Sequence, residues 1–235
     1  MNAMRLGFTG VMVALLSLIS GGALAAGSGQ VQHLSGTLSV QRADGTVRIL
    51  SQKSEVNPGE VLTTQKDSYA QINFSDGSSM TMRPNTQMKI EAYQFVQDKP
   101  QEDSAFFRLL KGGLRTVTGL VGKRGNQDAY RIGTSTATIG IRGSSGETLD
   151  CTQGCDGVVP GGENVEKAVY HTTYTGSYIM QNEGGSQIIG EGQFGIARDS
   201  KTAPQLTSDP GFKLNELPFV ITGNFNNANK DCVVR

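Results

Sequence analysis

Tryptophan is absent from the 235 residues, and there are only two histidines and three cysteines. These scarcities narrow the chemistry open to the chain. His33 and His171 are the only imidazoles that could act as bases or metal ligands. A zinc site needs about four ligands at suitable spacing, and Cys151, Cys155 and one distant histidine make a poor set. No metal, cofactor or catalytic site is therefore expected. A thiol or hydroxyl nucleophile would have to use one of the same two histidines as its base. Charged residues are also sparse, at 18%. Lys plus Arg equals Asp plus Glu at 21 each, so the basic excess with which a nucleic-acid binder displaces counterions is missing. Amphipathic helices of normal length are missing too. Beyond the N-terminus, no apolar run is long enough to cross a bilayer.

What the chain does contain is glycine, 31 residues of it, and short runs with a period of two. Leu38 and Val40 alternate with polar neighbours, Asp44-Gly45 turns the chain, and Val47 and Ile49 resume the alternation, which is a hairpin signal. Ala70, Ile72 and Phe74 point one way, and Tyr69, Gln71 and Asn73 the other. Met80 and Met82 alternate with Ser79, Thr81 and Arg83, and Met88, Ile90 and Ala92 follow in the same manner. Strands are also expected over 106–110 and 114–117, around Ala137, Ile139 and Ile141, and over 170–174, 178–181, 187–189 and 194–197. Gly119 to Asp128 reads as an exposed basic loop, and Val158 to Glu166 as a polar insertion. The expected fold is all-β: stacked short antiparallel strands and hairpins in a barrel, sandwich or solenoid.

The N-terminus reads as an export signal. Arg5 precedes an uncharged stretch from Leu6 to Leu24, and Ala23-Leu24-Ala25 supplies a small-x-small cleavage pattern. A signal peptide over 1–25, a β domain over 26–198 (core about 37–144, extension 145–198) and a loosely packed C-terminal appendage over 199–235 are expected. Export implies the periplasm, with no membrane span once the signal is cut. In an oxidising compartment Cys151 and Cys155 can close a small loop, and this disulfide is favoured. Three cysteines allow three single-bridge choices, and Cys232 is left over or bridges to a partner.

The order of the turns resembles the FecR domain. Leu38-Ser39-Val40 with Asp44-Gly45, Asn57-Pro58-Gly59-Glu60, Tyr69 to Ser78 with its Asp76-Gly77-Ser78, Met82 to Thr86, Leu110 to Arg115, and Ala137 to Ser144 match six steps of that family in sequence. A weaker step at Gly192-Gln193 extends the likeness to about Ala197. The best-known members are transmembrane regulators whose periplasmic domain relays an iron-siderophore signal. This chain departs from that plan in its signal peptide, so it looks more like the stand-alone exported members. Some of those carry a cysteine pair that Cys151 and Cys155 resemble.

Gly190 to Gly195 spells G-x-G-x-x-G, but a dinucleotide site needs a helix next, and the chain runs into Pro204. Glu60, Asp76, Glu91 and Glu102 sit at turn or solvent-facing positions and read as solvated carboxylates. His171 reads as a partly exposed structural histidine. Seven basic residues and one acidic one lie between Arg108 and Arg142, and the balance reverses from Gly143 to Ser200. Lys123, Arg124 and Arg142 are thus the candidate ligand or partner surface.

The function these features imply is a non-catalytic binding or interaction module of the cell envelope, taking part in signal sensing. Its partner would be an envelope protein or an anionic envelope polymer, not a nucleic acid. The alternative is a structural or lipid-carrying envelope β protein, which would need an open apolar channel lined by Phe74, Met80, Met82 and Met88.

Overall fold

A computed structural model describes residues 28–126, 128–141, 143–218 and 221. The expected signal peptide, Arg142 and Cys232 lie outside the described residues. Seventeen strands follow one another: β1 (Gly29–Ser35), β2 (Leu38–Gln41), β3 (Val47–Leu50), β4 (Glu55–Val56), β5 (Val61–Thr64), β6 (Tyr69–Phe74), β7 (Ser79–Met82), β8 (Gln87–Gln94), β9 (Ser104–Val117), β10 (Tyr130–Gly133), β11 (Thr138–Ile141), β12 (Ser145–Asp150), β13 (Val169–Thr175), β14 (Ser177–Asn182), β15 (Gly185–Gly190), β16 (Phe194–Ala197) and β17 (Gln205–Thr207). The all-β expectation holds. The strands form one connected array that is not closed into a barrel.

The long strand β9 explains the architecture. Two strands separated by Gly112-Gly113 were expected here, but the chain runs through as a single strand of 14 residues. Its first half pairs with β8 and, in parallel, with β10. Its second half pairs with β7 and β12. Between the halves Gly112 takes a φ of +90°, and a Cβ there would lie 2.6 Å from the Thr86 backbone. Only glycine fits that crossing without strain. From β9 the array divides into two sheets. Sheet A runs β4-β1-β6-β7-β9-β12-β13-β16-β17. Sheet B runs β3-β2-β5-β8-β9-β10-β11-β14-β15.

The main core lies between the sheets. Ile72, Met80, Met82 and Leu114 from sheet A meet Leu38, Leu62, Met88, Ile90, Phe107 and Ile139 from sheet B, all essentially without solvent exposure. Phe74 stacks on Phe107 at 5.0 Å between ring centroids, and Phe107 on Tyr130 at 5.5 Å. Alternation identified most of these inward residues correctly because one face of each strand is buried in a shared core. It failed on β3. Leu38 pairs with Leu50, which turns Leu50 inward and leaves Val47 and Ile49 outward, 64% and 68% exposed.

A second core covers the outer face of sheet A. Leu149, Tyr170 and Ile196 are roofed by Cys151, Cys155, Val158 and Val159 and by Phe212 and Leu214. The insertion was expected to be polar and the tail loosely packed. Instead Val158 and Val159 are buried, and the described part of the tail docks as a strap. β17 extends sheet A, Phe212 packs edge-on against Tyr170 at 5.2 Å, and Lys213 N–H donates to the Pro160 carbonyl at 2.9 Å. The apolar row of β12, β13 and β16 on this face requires a cover, and the nearest chain supplies it.

Candidate functional site

The strongest constellation of ionisable groups lies beneath that strap, and sequence reasoning missed it. Arg83 follows β7 at a position that alternation assigned to solvent, yet its side chain is 0% exposed. Its Nε donates to Glu147 on β12, an equally buried carboxylate. Its Nη2 donates to the Leu214 carbonyl of the strap at 2.7 Å, and the Tyr174 hydroxyl donates to the other Glu147 oxygen at 2.6 Å. Arg115 lies over the Tyr174 ring at 4.6 Å. Burial alone would lower the Arg83 pKa, but the Glu147 carboxylate reverses this and the net shift is upward. Burial, then the same carboxylate, pushes the Tyr174 phenol up. Arg83 stays a cation and Tyr174 stays neutral, which makes the group a charge clamp between sheet and strap. Nη1 of Arg83 has no hydrogen-bond partner among the described residues. A cleft of about 360 Å³ opens beside the strap, lined in part by Tyr174, Glu191, Phe194 and Asp209.

Asp76, at a turn position where a solvated carboxylate is expected, is only 3% exposed. One oxygen accepts from Ser78 N–H, from the Ser78 hydroxyl at 2.6 Å and from the Tyr93 hydroxyl. The other accepts from Val121 N–H at 3.2 Å. Asp76 thus ties the β6–β7 turn to the 119–125 segment, which was expected to be an exposed loop. Val121 is fully buried there. Glu60 is also buried, and its carboxylate accepts from Asn57 N–H at 2.8 Å across its own turn. Buried carboxylates need such donors, and the turns supply them. Glu91 is half-buried between Lys89 and Arg108, and Glu102 stays exposed beside Lys99.

Of the candidate basic surface, Lys123 and Arg124 are described and Arg142 is not. Lys123 is exposed. Arg124 is a clasp: its Nε pairs with buried Asp103 at 3.0 Å, Nη1 and Nη2 donate to the Gln97 and Val96 carbonyls, and its guanidinium lies 4.7 Å from the Phe95 ring centroid. Those bonds occupy the donors a ligand would need. Cys151 and Cys155 are joined in a disulfide, buried in the second core.

His171, expected to be partly exposed, is 1% exposed in the main core. Its Nδ1 is 2.9 Å from the Thr148 hydroxyl, and its ring packs at 4.1 Å on Tyr178. Burial holds its pKa down to about 3, so it is neutral at physiological pH. Phe74, Met80, Met82 and Met88, the proposed lipid-channel lining, are sealed inside the same core. Among the described residues, no three His, Cys, Asp or Glu side chains gather as a metal set, and no helix is long and apolar enough to cross a membrane.

Comparison with known families places the domain. The family described as FecR protein matches residues 60–156 of this chain. Two crystal structures of a candidate anti-sigma factor from Parabacteroides distasonis ATCC 8503, at 1.65 and 2.50 Å, are similar to part of this chain. Each is 10% identical, with a TM-score of 0.45, over 64% of this chain and 60% of that one. This chain therefore spans about three fifths of the length of the solved protein it resembles. No curated protein matches it.

Proposed function

We propose that this FecR-domain protein is a non-catalytic interaction module of the periplasm, stand-alone after signal cleavage, that takes part in signal sensing or regulation. The observation that carries the reading is where its ionisable groups are used. Arg83, Glu147, Asp76, Asp103 and Arg124 are engaged in structural bonds that join strands, turns and strap. What the fold offers outward is a rigid two-sheet scaffold with open strand edges and a bare face. Such surfaces recognise partners by side-chain patterning and edge pairing. The Cys151–Cys155 disulfide fits an oxidising compartment.

The test is capture from a cell-envelope extract with the mature chain as bait. One envelope protein should be enriched by wild type and retained after Lys123→Glu, which leaves the clasp of Arg124 intact. If nothing is retained, or if the mature chain turns over an envelope substrate, the reading fails. If capture is lost on charge reversal at Lys123, the surface around Lys123 is itself the contact.

A further inference from the structure

The outer face of sheet B holds a trough that none of the structural bonds above uses. It runs over β10 and β11 against β14 and has a volume of about 500 Å³. Gly140 lines it, and Gly133 lies beside it on β10. Gly133 and Gly140 face outward on adjacent strands, and neither has the positive φ that would demand glycine. A Cβ at Gly133 would lie 3.2 Å from the Phe106 ring, and one at Gly140 2.7 Å from Ile179 Cγ2. Ile179 thus lies over Gly140 and makes the apolar part of the floor, and Phe106 covers Gly133 beside it. Such cross-strand aromatic cover over glycine stabilises a sheet. Arg131 is exposed, its guanidinium 5.2 Å from the Phe106 ring centroid, with no carboxylate within ion-pair distance among the described residues. Thr138, Gln181, Asp128 and Glu183 complete the lining.

We infer that this trough is a binding site for a neutral, hydroxyl-rich glycan chain. β10 and β11 are paired on both sides, so a peptide strand finds no free backbone edge there, and recognition must come from side chains. Asp128 and Glu183 outnumber Arg131, which disfavours the anionic polymer suggested by the basic run in the sequence. Carboxylates, a guanidinium, an amide and a hydroxyl around an apolar floor match a sugar ring, which has hydroxyls at its rim and C–H groups on its faces. The inference names a ligand class for the interaction module proposed above and rests on that reading.

The test is titration of the mature chain with chitohexaose, cellohexaose and maltohexaose, with a galacturonate hexamer as the anionic control, followed by amide chemical shifts. One or more of the neutral probes should shift resonances in β10, β11 and β14. Thr138→Arg, which fills the trough on an exposed surface, should weaken binding about tenfold or more. Gln181→Ala should weaken it less, and Ile49→Asp, on the same face outside the trough, should leave it unchanged. The inference is overturned if no neutral probe shifts those strands, if Thr138→Arg binds like wild type, or if the galacturonate hexamer binds more tightly. Loss of the glycan site with capture of the envelope protein intact would sink this inference and leave the proposed function standing.

Discussion

The outward face of sheet A is roofed, whereas that of sheet B is bare. Both sheets contribute one face to the main core. On sheet A the second face carries Leu149, Tyr170 and Ile196 in a row, and the disulfide insertion and strap close over it. On sheet B the corresponding positions include Arg108, Arg131, Thr138 and Gln181, which tolerate water. An apolar row on both faces of a strand demands two layers of cover, and a polar row demands none. The roof also encloses charge. Arg83 and Glu147 could not remain ionised at 0% exposure without each other, and the strap carbonyl of Leu214 takes one of the remaining guanidinium donors.

This contrast makes the roofed face fragile to charge deletion. Glu147→Leu leaves the Arg83 guanidinium buried without a counter-charge and should destabilise the protein by about 3–5 kcal/mol. Adding Arg83→Met should recover most of that loss. Urea denaturation midpoints of the two variants decide the matter. An unchanged midpoint in Glu147→Leu would mean that water reaches Arg83 and that the roof seals nothing.

The disulfide should matter less, because its loop is short. Opening Cys151–Cys155 by a double change to alanine should cost about 2 kcal/mol on the loop-entropy account. Hydrogen exchange should accelerate in 151–167 and in the strap, with sheet B unaffected. Acceleration spread evenly over both sheets would abolish the distinction between the faces.

His171 probes the core that both faces share. Its folded pKa of about 3 lies below the unfolded value near 6.5, so the unfolded chain takes up the proton first as pH falls. Its contribution is fully present above about pH 6.5 and is lost progressively on acidification toward pH 3, at up to about 1.4 kcal/mol per pH unit. His171→Gln should flatten the stability profile between about pH 4.5 and 6.5. An unchanged slope would place the titrating group elsewhere.

The inward residues were legible because they obey a local rule. Ile72, Met80, Met88 and Ile139 alternate with polar neighbours, and each proved buried. The turns were legible as well, since Asp76-Gly77 and Asn57-Pro58-Gly59 carry their own chemistry. The roof was not. Nothing near Arg83 in sequence announces that Glu147, 64 residues on, and Leu214, 131 residues on, will enclose it. Thr81 and Arg83 alternate with methionines as a solvent face would, yet both are buried, and the strap's Leu214 carbonyl sits on the Arg83 guanidinium. Val158-Val159 and Phe212 were the available signal: short apolar pairs in polar segments, too brief to show a period. The bare trough was equally illegible, because outward glycines on β10 and β11 read as turn-formers until their neighbours are known.

The smallest effect is expected on the bare face, at Ile49. Its side chain is 68% exposed on β3, the terminal strand of sheet B. Ile49→Thr keeps the β-branch that suits a strand and removes apolar surface that the fold leaves in water. Stability should change by less than about 0.5 kcal/mol, as for other surface positions without structural bonds. The urea midpoint measures this directly. A loss well above that value would require Ile49 to be covered in solution, and sedimentation velocity at rising protein concentration would then reveal the copy that covers it. In that case β3 would be an interface, and only the trough end of sheet B would remain bare.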